Sequence, residues 1–209
     1  MHRNKDMSNI GERKRKYMNI KTKEESLLWQ TLATVSLLSG LQNQDFLNSV
    51  YFEKMELSNM TFKEVLKKST IGNPAALQMV LYALLVVPQE VLSKGKFSNL
   101  YIKMLKSNKL IDGLVEEAHS SYKSDKESIN YVKHMRNAIA HSKCRYLTKN
   151  GKSFVAFTDK NRNNRKEKCS ILMETSNVGL VCDTLHNLIL DFLIKTLIQN
   201  NESVRIQFT

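Results

Sequence analysis

Proline and glycine are scarce, two and seven in 209 residues. Few positions therefore interrupt a helix, and long helical segments can run unbroken. Cysteine is scarce as well. Cys144, Cys169 and Cys182 form no C-x-x-C pair. An odd, scattered count argues against a disulfide framework and against a zinc cluster, fits a reducing cytosol, and makes a cytoplasmic protein the expectation. Long apolar runs are missing too. The most apolar stretch, Ala75 to Val87, is about 13 residues long and ends at Pro88, short for a bilayer. The first twenty residues are polar and charged, unlike a signal peptide, so no membrane association is expected. There is no Gly-rich phosphate loop, no G-x-S-x-G elbow and no convincing helix-turn-helix, and Trp29 and the other aromatics are spaced as core residues with no stacking platform.

Positive charge is abundant, with a formal net charge of +12. Such an excess attracts polyanions, nucleic acid first among them. Part of it sits in residues 1–23, where Arg3, Lys5, Arg13, Lys14, Arg15, Lys16, Lys21 and Lys23 face only Asp6 and Glu12. That segment reads as a basic, partly disordered tail, or as an arm that tracks phosphates. The apolar fraction of 42% supplies a core for one domain over residues 24–209 without cross-links.

Helical periodicity dominates the first two thirds. Leu28, Leu32, Val35 and Leu38 form one stripe of a helix over 24–50. Thr61 with Glu64 resembles a capping box opening a helix to Lys68. Asn73-Pro74 starts an almost wholly apolar helix to Val87, expected at the centre of the core. Further helices are predicted near 97–106, 110–120 and 124–142. Then the pattern changes. Arg145–Thr148 and Ser153–Phe157 are strand-like around Asn150-Gly151, a two-residue hairpin turn, and a basic loop, Asp159 to Lys168, leads to a third strand at Ser170–Met173. Ser176 opens a last helix to about Gln199, with Val181, Leu185, Leu188, Phe192 and Leu197 as core candidates. The expected fold class is mainly α, a helical bundle with a small β-hairpin before its last helix, the hairpin and basic loop lying at about 144–173.

The 124–142 helix carries the informative motif, Arg136-Asn137-Ala138-Ile139-Ala140-His141. Ile129, Val132, Met135 and Ile139 recur at core spacing, while His134, Asn137 and His141 share another face. Arg136 stands about 140° from His141 on an ideal helix. The two can meet at one phosphate only if the arginine reaches around, the helix is distorted, or a second copy contributes across a two-fold axis.

These residue types suit metal-independent RNA cleavage. Arginine forks onto phosphate oxygens and stabilises a phosphorane, histidine moves protons near neutrality, and asparagine orients phosphate or imidazole. RNA brings its own nucleophile in the 2′-OH, so the products would be a 2′,3′-cyclic phosphate and a 5′-OH, with no cofactor and no metal. With eight arginines and five histidines, a bare Arg-x4–6-His spacing arises by chance about half the time. Asn directly after Arg lowers that rate to roughly a few per cent. An ordinary arginine and a surface histidine at a helix C-terminus are the plain alternative. His134, Lys133, Lys143, Arg162 and Arg165 are the candidate substrate-binding residues, with His134 either at the site's rim or an ordinary surface histidine, and the loop Lys160–Lys166 either holding RNA phosphate or simply solvated. His134 and His141 are roughly 10 Å apart along the helix, too far to share a metal, and Cys144 adds only one ligand type beside His141.

The hexapeptide resembles the R-x4–6-H motif of HEPN domains in the form with a polar residue after the arginine. HEPN proteins are helical bundles, typically dimeric, and include ribonuclease toxins, anti-phage nucleases and RNA-processing enzymes. The resemblance covers residues 24–199, and the hairpin before the last helix is similar to that of a HEPN subgroup found on bacterial plasmids. It implies that Arg136 and His141 are catalytic with Asn137 auxiliary, that RNA is the substrate, that a homodimer builds a composite site, and that an antitoxin or regulatory protein is a further partner. Toxins silenced by a nucleotidyltransferase carry a Tyr two residues after the His, where this chain has Lys143. The family also places a polar or acidic residue from an earlier helix in the site, for which Glu24, Glu25 and Gln30 are candidates. Two rivals stand beside the endoribonuclease: a non-catalytic HEPN-like module that binds RNA or protein, and a DNA-binding regulator supported by charge alone.

Overall fold

In a computed structural model, residues 23–164 and 166–205 are described, without the side chains of Met60 and of residues 197–205. The basic tail predicted for 1–23 therefore lies outside the described residues except for Lys23. In chain order the helices are α1 (Lys23–Asn43), α2 (Val50–Lys54), α3 (Met60–Ser69), α4 (Pro74–Leu85), α5 (Val87–Val91), α6 (Lys94–Leu105), α7 (Asn108–Asp112), α8 (Tyr131–Ala140) and α9 (Thr175–Arg205). The strands are β1 (Val115–Ser120), β2 (Cys144–Lys149), β3 (Lys152–Lys160) and β4 (Lys168–Glu174).

Asparagine side chains decide where three helices begin. Asn73 accepts from the Ala75 and Ala76 N–H groups at 3.0 Å each, ahead of Pro74, as the sequence predicts for α4. Asn59 rather than Thr61 caps α3, accepting from Thr61 N at 2.9 Å. Asn130 accepts from Lys133 N at 3.1 Å, so α8 starts at Tyr131. The helix expected from 124 is thus shortened, and its first turns are replaced by a 3-10 turn at Lys123–Asp125.

The β component is larger than a hairpin. Four antiparallel strands run in the order β1-β4-β3-β2. Asn150 and Gly151 take φ of 53° and 75°, as the predicted two-residue turn requires, and Lys149 pairs with Lys152 across it. The segment 110–120, expected to be a helix, is instead α7 followed by β1, where Ala118 faces Ile171 across an antiparallel ladder. Tertiary pairing overrides local propensity there.

One core joins sheet and helices. Val155 and Phe157 of β3 and Ile171 and Met173 of β4 pack with Val132, Met135 and Ile139 of α8, the predicted stripe of that helix. Burying each of these three contributes about 1.5–3 kcal/mol relative to exposure. Leu28 and Leu32 of α1, Leu81, Leu84 and Leu85 of α4, and Val181, Leu185 and Phe192 of α9 complete it. Two expectations are corrected in part. Val35, Leu38 and Leu188 are only half-buried, and α4 is not buried all round, since Met79 is 67% exposed. Leu197 lies outside the described side chains. By length and composition, Pro74–Val91 and Thr175–Thr196 are apolar enough to span a bilayer, contrary to the expectation from the longest apolar run. Core helices pass the same test, and these two place Leu81, Leu84, Val181 and Leu185 in the common core.

Candidate active site

The motif helix ends in a reversal built from backbone hydrogen bonds. Lys143 N donates to Ala138 O at 2.7 Å and Ser142 N to Ile139 O at 3.1 Å, with Ser142 in the left-handed region at φ 51°. This is the Schellman closure, with a serine where glycine is usual. It makes His141 the C-cap residue, exposed, at the mouth of a groove of about 1370 Å³. The groove runs over the outer face of β2 and β3 and is walled by Lys143, Arg145, Lys160, Arg162 and Lys168, with Asn137 and Asp159 at its inner end. Arg162 Nη2 lies 3.2 Å from both ring nitrogens of His141. A point equidistant from both nitrogens at that range lies over the ring face, because Cε1 blocks the in-plane approach. Arg162 Nη2 therefore sits over the imidazole ring rather than in its plane.

Beneath the other end of the motif the arrangement is closed. His134 is 1% exposed. Its Nδ1 lies 2.7 Å from Asp159 Oδ2 and its Nε2 2.7 Å from Asp125 Oδ2. Ser120 and Ser124 hydroxyls donate to the two oxygens of Asp125. Burial alone would raise both carboxyls. The hydrogen bonds from Ser120 and His134 to Asp125, and from His134 and Asn137 to Asp159, outweigh it and hold both below their usual value. The ring thus lies between two carboxylate oxygens, one at each nitrogen. Tyr122 covers the ring at 4.6 Å between centroids, its hydroxyl driven upward by burial and by the nearby Asp159 charge.

Asn137 links the two ends. Its Nδ2 donates to Asp159 Oδ2 at 3.0 Å, and its Oδ1 accepts from Arg136 Nη2 at 2.8 Å and Nε at 3.3 Å. Arg136 itself is half-buried and is not among the residues lining the groove. Within one copy the arginine and histidine ends of the motif thus open differently, as the 140° offset predicts.

The other candidates divide. Lys143 and Arg162 line the groove. Lys133 does not; its Nζ stands 5.2 Å over the Tyr122 ring. His134 is neither at the rim nor on the surface but sealed between two aspartates, because offsets of three residues put it beside Asn137 on the face that meets β3. Arg165 lies outside the described residues. Asp159 of β3 supplies an acidic group at the motif; among the α1 candidates, Glu25 is buried and ion-paired with Lys96 at 2.6 Å, and Gln30 donates to Ser26 at 3.0 Å. Asp125, His134 and Cys169 bring one potential ligand atom each within 4.8 Å of one another. Both His134 nitrogens are already engaged by carboxylates, and burial pushes the Cys169 thiol up to about 12, so this donor set suits a hydrogen-bonded row better than a cation. Burial likewise raises Cys144, on the groove wall, to about 11, unfavourable for a thiolate nucleophile.

A family model described as HEPN pEK499 p136 matches residues 11–196. The chain belongs to this HEPN family. No curated protein and no solved structure matches it. The HEPN match begins within the basic tail, at residue 11, so the family pattern reaches beyond the helical domain expected to start at 24. It also encloses the motif helix, the sheet and most of α9. Sequence reasoning missed Asp159, Asp125 and Arg145 in this HEPN domain. An acid standing alone within the basic run from Lys152 to Lys168 was a usable signal for Asp159, although Glu167 shares it.

Proposed function

We propose that this HEPN protein is a metal-independent endoribonuclease, acting in the cytoplasm as a toxin or defence effector. The observation that carries the reading is the position of His141: exposed at the end of the motif helix, on the wall of a groove lined by five cationic side chains. A cationic groove gathers a polyanion, and a solvent-exposed imidazole there can exchange protons with it. In the proposed reaction the 2′-oxygen attacks the adjacent phosphorus and its proton passes to a base. The P–O5′ bond breaks and the 5′-oxygen takes a proton from an acid, leaving a 2′,3′-cyclic phosphate and a 5′-OH. His141 acts as general acid or base, Arg136 stabilises the charge on the phosphorane, and Asn137 positions.

Since Arg136 stands off the groove that His141 lines, the complete site takes its second half from another copy, in a homodimer. Large apolar side chains exposed on α1 to α4, among them Leu37, Tyr51, Phe62 and Met79, favour association. RNA is the substrate, and an antitoxin or regulatory protein is the remaining partner. Lys143 stands where nucleotidyltransferase-controlled toxins carry a Tyr, which argues against that control.

The test is cleavage of a labelled RNA in EDTA by wild type and by His141→Ala, with end-group analysis. Cleavage that survives EDTA, yields cyclic-phosphate ends and is lost in a folded His141→Ala protein supports the reading. EDTA-sensitive cleavage, or unchanged cleavage by the variant, overturns it. A second reading, a non-catalytic RNA-binding module, is favoured by the Arg162 guanidinium seated on the His141 ring, which fits a binding surface as well. That reading expects salt-sensitive binding with the RNA recovered intact.

A further inference from the structure

We propose that the buried row Asp125–His134–Asp159 is a positioning device for the motif: it sets the side-chain amide of Asn137 and, through that amide, the guanidinium of Arg136. The proposal rests on the ribonuclease reading for its catalytic consequence, but the device itself is defined by geometry.

One carboxylate oxygen, Asp159 Oδ2, receives both His134 Nδ1 at 2.7 Å and Asn137 Nδ2 at 3.0 Å. An amide whose NH2 faces a carboxylate has its carbonyl turned the other way, and that carbonyl is what Arg136 holds. Flipping the amide would set oxygen against carboxylate at one end and NH2 against guanidinium at the other. Both contacts would turn repulsive, so the orientation is locked from two sides. Asp159 is held in turn. It is 6% exposed and on β3, the Tyr122 hydroxyl also hydrogen-bonds it, and the His134 ring it shares is gripped from behind by Asp125 at 2.7 Å. Asp125 is fixed by Ser120 of β1 and by Ser124. The row thus runs from the β1 edge through the core to the motif.

The consequence for Arg136 is directional. With Nε and one Nη2 hydrogen turned onto Asn137, the guanidinium can offer phosphate only its Nη1 and remaining Nη2 hydrogens, a fork of fixed heading. An arginine on an untethered chain would search many rotamers, and a misplacement of about 1 Å at a reacting centre costs about 100-fold in rate. Asp159, His134 and Asp125 are positioning residues in this scheme, acting through Asn137 and Arg136.

A double-mutant cycle with a spectroscopic control tests it. Cleavage kinetics are measured for wild type, Asp159→Asn, Asn137→Ala and the double variant. Asp159→Asn is expected to lower kcat about 100-fold with KM nearly unchanged, and to have no further effect in the Asn137→Ala background. Equal losses in both backgrounds would place Asp159 in the fold alone and overturn the proposal, as would no loss in either. The control needs no variant: in the NMR spectrum of the wild-type protein, the Asn137 side-chain amide and the Arg136 Nε–H are expected to be protected from solvent exchange. Free exchange of both would overturn the device whatever the kinetics. Protected protons in a wild type that cuts no RNA would leave the device standing and remove the ribonuclease reading instead.

Discussion

The two ends of one ten-residue helix are built on opposite principles. At His134 the motif helix meets two carboxylates in the dry interior, and every polar atom of the ring has a partner at 2.7 Å. At His141, seven residues on, the ring is exposed and approached by a guanidinium nitrogen of Arg162 from a loop. The closed end fixes geometry, because a buried charge that loses its partner is costly. The open end leaves a proton-transfer group accessible, because cationic side chains in water rearrange at little expense. The proposed site would need both, an arginine held still and a histidine offered to substrate, and the two histidines stand one heptad apart.

The sharpest break in that comparison is His134→Ala. It leaves Asp125 and Asp159 buried without the ring that joins them and should cost about 3–5 kcal/mol in urea unfolding, whereas His141→Ala, exposed, should change stability by less than about 0.5 kcal/mol. Equal effects at the two histidines would erase the distinction.

Acid should distinguish the ends next. Asp125 and Asp159 both titrate below the ordinary carboxylate value of 3.8 in the folded protein. A depressed folded-state value stabilises above the unfolded one and is lost as the pH falls through it. Stability should therefore hold near neutrality and decline below pH 3.8, and Asp159→Asn should flatten that decline. An unchanged acid limb in the variant would count against the ionised row.

In the groove the expected effects are on binding. Arg145→Ala and Lys160→Ala should each weaken RNA binding and reduce the salt slope by about 0.7 for each phosphate no longer neutralised, with unfolding unchanged. Lys133→Ala, off the groove, should leave the slope alone, and a slope that moved equally for all three would disperse the proposed track. The smallest change is expected between the two ends, at the turn. Ser142→Gly should stabilise by about 0.5 kcal/mol, the relief of a left-handed serine less the entropy of a freer unfolded chain.

Much of this was legible before the fold. The stripe Val132, Met135 and Ile139, the Asn73-Pro74 start and the Asn150-Gly151 hairpin all rest on contacts within a few residues, where spacing alone sets geometry. The 140° separation of Arg136 and His141 was readable for the same reason. The strand at Val115–Ser120 was not. Its Glu and Ala favour helix, and only the ladder to β4 makes it a strand. His134 was misjudged on similar grounds, since a histidine on a polar face looks exposed until something covers that face.

That Arg136 and Asn137 lie on one amphipathic helix closed by His141 follows from the 3.6-residue repeat alone, which sets which side chains are neighbours. It takes the packing of the whole chain to bring His134 between Asp125 and Asp159, nine and 25 residues away. No local periodicity records which acid on a distant strand will be carried to which ring. That meeting depends on the packing of β3 against α8, and a hydrogen bond of 2.7 Å forms only where the whole core brings its two ends together.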